Sequence, residues 1–229
     1  MKKSTMEKMR NCIILILVSF TVLMISCQEE ERELIDPELD NAIHQDSQLA
    51  GLMRNIVTHD GSFDDLVDGG NCYSINLPYS ILLNDTDEII INQISDYDLF
   101  TESDNIQVQF PITVTQHNYI EEIIENESQL QALANSCELQ DDDIECIDFI
   151  YPFKFATYNT SNNILNTIEV IHDAQVYGFM DNLDENTLVS INYPLRLSLS
   201  DGTSIEVIHN DQLVSEILTF ETSCDENDG

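Results

Sequence analysis

Apolar and polar residues alternate around four of the chain's five prolines. Leu77-Pro78-Tyr79, Phe110-Pro111-Ile112, Tyr151-Pro152-Phe153 and Tyr193-Pro194-Leu195 each lie inside such a run. Val108-Gln-Phe-Pro-Ile-Thr-Val114 and Ile191-Asn-Tyr-Pro-Leu-Arg-Leu-Ser-Leu199 show it best. A period of two marks a strand with one buried face. Proline cannot donate to a ladder, which places these strands at edges or bulges, and the aromatic residue before three of the prolines is compatible with a cis bond. A second apolar segment follows each proline run, at residues 88–91, 120–124, 168–172 and 205–209, and Ser200-Asp201-Gly202 is a hairpin signal between two of these runs. Stretches with helical spacing, 128–134 and 211–218, close units. The pattern predicts four strand–strand–helix units and a strand-rich α+β fold of antiparallel sheets in two tandem halves. An all-β sandwich is the alternative, because the closing helices are brief.

Cysteines group the units two and two. Cys72 and Cys146 each precede a proline by the same interval, and Cys137 and Cys224 close the halves. Three pairings are open to these four thiols; the repeat singles out Cys72–Cys137 and Cys146–Cys224, one bridge per half. No pair has the close spacing of a zinc or redox motif. The halves are expected at residues 72–140 and 141–229. Ahead of them, residues 47–71 read as a short helix and an acidic loop. Leu49, Leu52, Met53, Ile56 and Val57 share one helical face with Ser47 as N-cap, although Gly51 weakens the helix. The helix is expected to pack on the domain that follows it.

The N-terminus is organised differently. Lys2, Lys3, Lys8 and Arg10 precede an apolar run from Ile13 to Ile25, which is shorter than the roughly 20 residues of a membrane-spanning helix. The run ends in Leu23-Met24-Ile25-Ser26-Cys27 and is followed by Gln28-Glu29-Glu30-Glu31. These residues resemble the lipobox and the acidic export signal of Bacteroidota-type outer-membrane surface lipoproteins, with Met24 departing from the usual leucine. The resemblance covers residues 1–31. It implies a lipoprotein signal peptide over residues 1–26, lipidation at Cys27, and a protein anchored in the outer membrane and facing the cell exterior. Residues 27–46 are polar and acidic and read as a flexible tether.

Charge narrows the choice of partners. The chain has 43 acidic and 8 basic residues. Without residues 1–26 it keeps 42 acids against Arg32, Arg54, Lys154 and Arg196, a formal charge of −38. Nucleic acid and anionic lipid need clustered Lys and Arg, so neither is an expected partner. Such a charge also repels itself unless salt screens it.

Candidate chemistry is sparse. Asp141, Asp142, Asp143 and Glu145 form the densest acidic cluster and are the calcium candidates; Asp60, Asp64, Asp65 and Asp68 form a second, and neither has EF-hand spacing. A solvated loop is the plainer reading of both. His59-Asp60 resembles the metal-binding pair of some phosphohydrolases, but no further ligands of that family follow, and a surface turn is expected. His172 and His209 end matching Ile-Glu-Val-Ile-His segments, which points to matching structure. The chain has no Gly-x-Ser-x-Gly elbow, phosphate-cradling loop or His-Glu-x-x-His pair. Without tryptophan, carbohydrate stacking would fall to tyrosines such as Tyr73, Tyr79, Tyr119, Tyr158 and Tyr177, whose plainer use is core or rim packing. The expectation is a non-catalytic cell-surface lipoprotein that binds a protein or glycan partner and needs no cofactor. The alternatives are a calcium-dependent adhesive domain and an extracellular carboxylate-based hydrolase.

Overall fold

The computed structural model describes residues 42–137 and 143–221; the signal segment with Cys27, most of the expected tether, Asp141, Asp142 and Cys224 lie outside the described residues. Helix α1 (Gln48–Ile56) comes first, followed by a 3-10 turn (Ser62–Asp64) and the short α2 (Asp65–Asp68). The first half then runs β1 (Tyr73–Ile75), β2 (Tyr79–Leu83), β3 (Asp87–Ile91), a 3-10 helix (Ile94–Leu99), β4 (Ile106–Val108), β5 (Ile112–Gln116), β6 (Glu121–Ile124) and α3 (Glu127–Cys137). The second repeats the order with β7 (Ile147–Phe149), β8 (Phe153–Asn159), β9 (Ile164–Val170), α4 (Asp173–Asp181), β10 (Thr187–Ile191), β11 (Leu195–Leu199), β12 (Ser204–Val207) and α5 (Asn210–Glu221). The fold is strand-rich α+β, with four three-stranded antiparallel sheets.

Each unit has one strand more than the alternation suggested. The residues before each proline form a short strand of their own, and that strand pairs with the other unit of its half. Thus β1 joins β5 and β6, while β4 joins β2 and β3; in the second half β7 joins β11 and β12, and β10 joins β8 and β9. The two units of a half therefore exchange strands. All four X–Pro bonds, at Pro78, Pro111, Pro152 and Pro194, are cis.

The pairing register runs straight through the prolines. Ile75 pairs with Val114 on one side and Ile81 with Val108 on the other, which sets Pro78 across from Pro111. The flanking rungs confirm this, with Asn76 N–H donating to Thr113 O at 2.8 Å and Gln109 N–H to Ser80 O at 2.9 Å. In the second half Phe149 pairs with Leu197 and Phe155 with Ile191, which sets Pro152 across from Pro194. Each half is a two-fold pseudo-symmetric ribbon with opposed prolines at its centre. Because the residues that cannot donate face one another, their missing hydrogen bonds fall at a single place in the ladder.

Alternation then decides the core. Ile81, Val114, Phe155 and Leu197 hold the same place three residues after each proline, and all four are completely buried. Burying such a side chain contributes about 1.5–3 kcal/mol. The unit-closing helices share a second device. Asn92 N–H donates to the Asp96 carboxylate, and Glu125, Ile171 and Ile208 N–H donate to the side-chain oxygens of Gln129, Gln175 and Gln212, at 2.7–3.1 Å. Each satisfies a backbone donor just before a helix with a side chain from its first turn. His172 and His209 are the N-cap residues of α4 and α5, and His209 Nδ1 accepts from Gln212 N–H at 3.1 Å. Their matching positions are structural.

Helix α1 forms despite Gly51, with Ser47 Oγ accepting from Ala50 N–H at 3.2 Å. Its apolar face joins the core of the second half, beside Val176, Met180 and Leu213 of α4 and α5, rather than that of the first half it precedes. The second half offers two helices as a seat, whereas the first has the 3-10 helix in place of one of them. Within the segment read as a tether, Ile43 exchanges backbone hydrogen bonds with Val189 and is 1% exposed.

The first half is stapled from its first strand to its last helix by Cys72–Cys137, at a sequence separation of 65. Cys146 is also disulfide-bonded, its partner lying outside the described residues. In the loop-entropy account, a closure of that span stabilises by about 4 kcal/mol. Replacing both Cys72 and Cys137 by alanine should lower the unfolding free energy in urea melts by about that amount. An unchanged midpoint would show that the bridge places no useful constraint on the unfolded chain.

Candidate functional site

The acidic loop after α1 is not a solvated turn. Gly61 and Gly70 let it lie directly on β1: a Cβ at Gly61 would strike the Tyr73 backbone, and one at Gly70 the Tyr73 ring. Asp64 is 0% and Asp68 8% exposed. One oxygen of each accepts a backbone N–H, from Ile75 at 2.8 Å and from Gly70 at 3.1 Å. Among the described residues, Asp64 Oδ1 and Asp68 Oδ2 have no hydrogen-bond partner. Burial, with neighbouring Asp charges adding to it, pushes the Asp64 carboxyl up to about 7 and the Asp68 carboxyl to about 9. Tyr73, Tyr79 and Tyr97 pack in the same core, with the Tyr79 and Tyr97 hydroxyls 3.0 Å apart.

His59 Nε2 lies 2.7 Å from Ser74 Oγ, a distance at which a base can activate a nucleophile. Ser74 is 4% exposed, and the adjacent Asp60 carboxylate accepts from Ser62 instead of orienting the imidazole. The pair ties the loop to β1. Burial lowers the His59 pKa, against the opposing pull of Asp60.

A cavity of about 270 Å³ between the halves collects residues that are far apart in sequence. His59, Asp60 and Tyr119 line it together with Asp143, Glu145, Asp148 and Asp173. The structure thus brings the remaining calcium candidates, Asp143 and Glu145, beside the His59-Asp60 pair. Tyr119 donates to Val57 O at 2.8 Å and Tyr151 to Asp173 Oδ1 at 2.6 Å. Burial raises the Asp148 carboxyl, with the Asp173 charge adding to it. Among the described residues, no three His, Cys, Asp or Glu side chains are arranged to hold a metal ion.

The larger concavity lies at the centre of the first ribbon. A groove of about 630 Å³ is lined by Pro78 and Pro111 and by three further pairs related as those prolines are: Asn76 with Gln109, Ser80 with Thr113, and Glu88 with Glu121. Tyr79, Ile112 and Leu77 complete it. Asn76 Nδ2 donates to Glu121 Oε1 at 3.2 Å, and Thr115 Oγ1 donates to Asn76 Oδ1 at 2.6 Å. Beside the groove, Ile90 and Ile123 stand opposite Ser80 and Thr113 in the ladders and are 57% and 63% exposed. Volume and mixed polarity suit a ligand-sized site. Of these groove residues, the sequence marked Tyr79 as a surface candidate and the proline runs as strands, and it gave no sign of the polar pairs. Superposing the units on Pro78 and Pro111 would have found them, because the polar pairs then fall into register.

Of the sequence candidates, Tyr73, Tyr79 and Tyr177 are core residues, and Tyr158 donates to Asn163 Oδ1 at 2.6 Å. Tyr119 packs edge-on against Tyr177 with ring centroids 5.8 Å apart, in a different core from Tyr73 and Tyr79. Comparison with protein-family models, with curated proteins and with solved structures finds no match to the chain.

The buried aspartates make stability depend on pH. A carboxyl whose folded-state pKa is raised contributes fully below about pH 4, where the unfolded chain also holds the proton. That contribution shrinks as pH rises and is gone once pH passes the folded values of about 7 and about 9. Asp68→Asn, which has no proton to lose, should melt at a higher temperature than wild type at pH 9 and show a flatter profile from pH 5 to 9. Parallel profiles for the two proteins would contradict the assignment.

Proposed function

We propose that this protein is a non-catalytic binding module of the outer-membrane surface, held by a lipid on Cys27 and carried clear of the membrane by its acidic N-terminal segment. The observation that carries the binding reading is the groove at the first pseudo-dyad. Both units contribute the same kinds of residue to it, and its opposed prolines sit in a continuous ladder, so its walls are held by two sheets. A rigid scaffold with convergent amide, hydroxyl and carboxylate groups suits recognition. The lipobox-like residues support the anchor. The formal charge of −38 without residues 1–26 supports a partner other than nucleic acid. The partner is a protein or a glycan outside the cell.

Anchor and groove are separable in experiment. Cys27→Ala should remove the protein from the outer-membrane fraction of cells; retention there would contradict the anchor. Ser80→Lys with Thr113→Arg should fill the groove floor. On an array of glycans and peptides, the binding shown by the wild-type protein should be lost in this double variant, and undiminished binding would contradict the groove as the recognition site.

A further inference from the structure

The chain contains two versions of the same pseudo-dyad, and they differ at the rungs next to the prolines. In the second half the residues two places after the prolines are Lys154 and Arg196, both exposed. Each faces a carboxylate on the neighbouring strand: Lys154 Nζ is 3.0 Å from Glu169 Oε2, and Arg196 stands opposite Glu206 in the ladder. The second half therefore seats two long cationic side chains beside its dyad, each opposite an acid in the ladder, and Lys154 is ion-paired with its own.

In the first half the same rungs hold Ser80 opposite Ile90 and Thr113 opposite Ile123. The floor is short, which leaves the groove open, and the carboxylates have moved two residues back along the edge strands, to Glu88 and Glu121. The described basic residues are placed elsewhere, with Arg54 3.8 Å from Asp181 and Lys154 on Glu169. Among the described residues, neither Glu88 nor Glu121 meets a cation. The exposed Ile90 and Ile123 lie on the face where the aliphatic stem of a Lys or Arg would run, and such stems cover apolar surface while their heads remain polar.

We propose that the first pseudo-dyad groove binds a basic, extended polypeptide segment, whose Lys or Arg side chains reach Glu88 and Glu121 as Lys154 reaches Glu169 in the second half. The inference rests on the binding-module reading and names its ligand class. The floor prolines and hydroxyls receive the peptide backbone, Ile90 and Ile123 receive the side-chain stems, and the two glutamates receive the cationic heads. Charge-assisted hydrogen bonds of this kind are about twice as strong as neutral ones, and arginine makes them in pairs. The surrounding negative field speeds capture of a basic segment and repels an acidic one.

The test is isothermal titration of the full-length protein with acetyl-peptides carrying two arginines one or three residues apart in a glycine background. Matched peptides with citrulline in place of arginine serve as the uncharged probe. An arginine peptide should bind one to one, and the citrulline peptides should bind at least tenfold more weakly. Glu88→Gln with Glu121→Gln should cost at least tenfold, whereas Glu125→Gln with Glu185→Gln, an equal loss of charge elsewhere, should cost less than twofold. Ser80→Lys with Thr113→Arg should abolish binding, and the second half shows that the scaffold carries these side chains. Equal effects of the two glutamine pairs, or equal binding of arginine and citrulline peptides, would overturn the proposal. A neutral oligosaccharide that binds in place of the peptides and is excluded by the filled groove would overturn the ligand class while leaving the binding module standing. If no probe is sensitive to the filled groove, the binding reading falls with it.

Discussion

The interaction on which the structure depends is the antiparallel ladder that continues past two opposed prolines. A single proline in a central strand costs a hydrogen bond and breaks the sheet. Two prolines facing each other confine the loss to one position, and the ladder resumes on either side in unchanged register. Strand exchange follows from this geometry. The residues before each proline lie alongside the partner unit, so each unit completes the other's sheet and neither has a full core alone. The four equivalent side chains three residues past the prolines fill the two cores that result.

Charge is distributed around this scaffold unevenly. Most of the acids among the described residues stand on exposed faces, where water and salt screen them. Asp64 and Asp68 do not; they are held under β1 by a loop that two glycines allow to approach closely. Their backbone donors fix the loop, and burial, with neighbouring Asp charges adding to it, favours their protonated forms. The first half thus joins buried carboxyls to an outer groove floored by Ser80 and Thr113, while the second half places Lys154 and Arg196 at the equivalent rungs. The two halves keep the same ladder around their opposed prolines and carry different side chains at the adjoining rungs.

Much of the frame was legible in the alternation of residues. The four proline runs and the strand-rich class follow from period-two patterning, the matching cysteine–proline spacing pointed to the Cys72–Cys137 bridge, and the structure has all three. The short strands before the prolines were not legible, because the alternation continues across each proline and nothing local shows that the run changes sheets. The capping glutamines were hidden for a similar reason: each lies four residues after its partner and reads as an ordinary polar helix residue. Composition misled at residues 59–70, where acid and glycine suggested a turn in water. There the glycines serve close approach and the aspartates serve buried backbone donors, a use that only the contact with Tyr73 reveals. The groove escaped notice because its polar pairs are unremarkable singly and acquire meaning only when the units are superposed on their prolines.

With their prolines opposed in one ladder, the two units of each half open together. Hydrogen exchange on the native protein tests it most directly, by comparing the protected amides of β2 with those of β5, and of β8 with those of β11. One opening free energy is expected for both members of each pair, with equal response to added urea. If β2 exchanges through an opening that leaves β5 protected, the units are independent and the shared ladder is not what holds the half together.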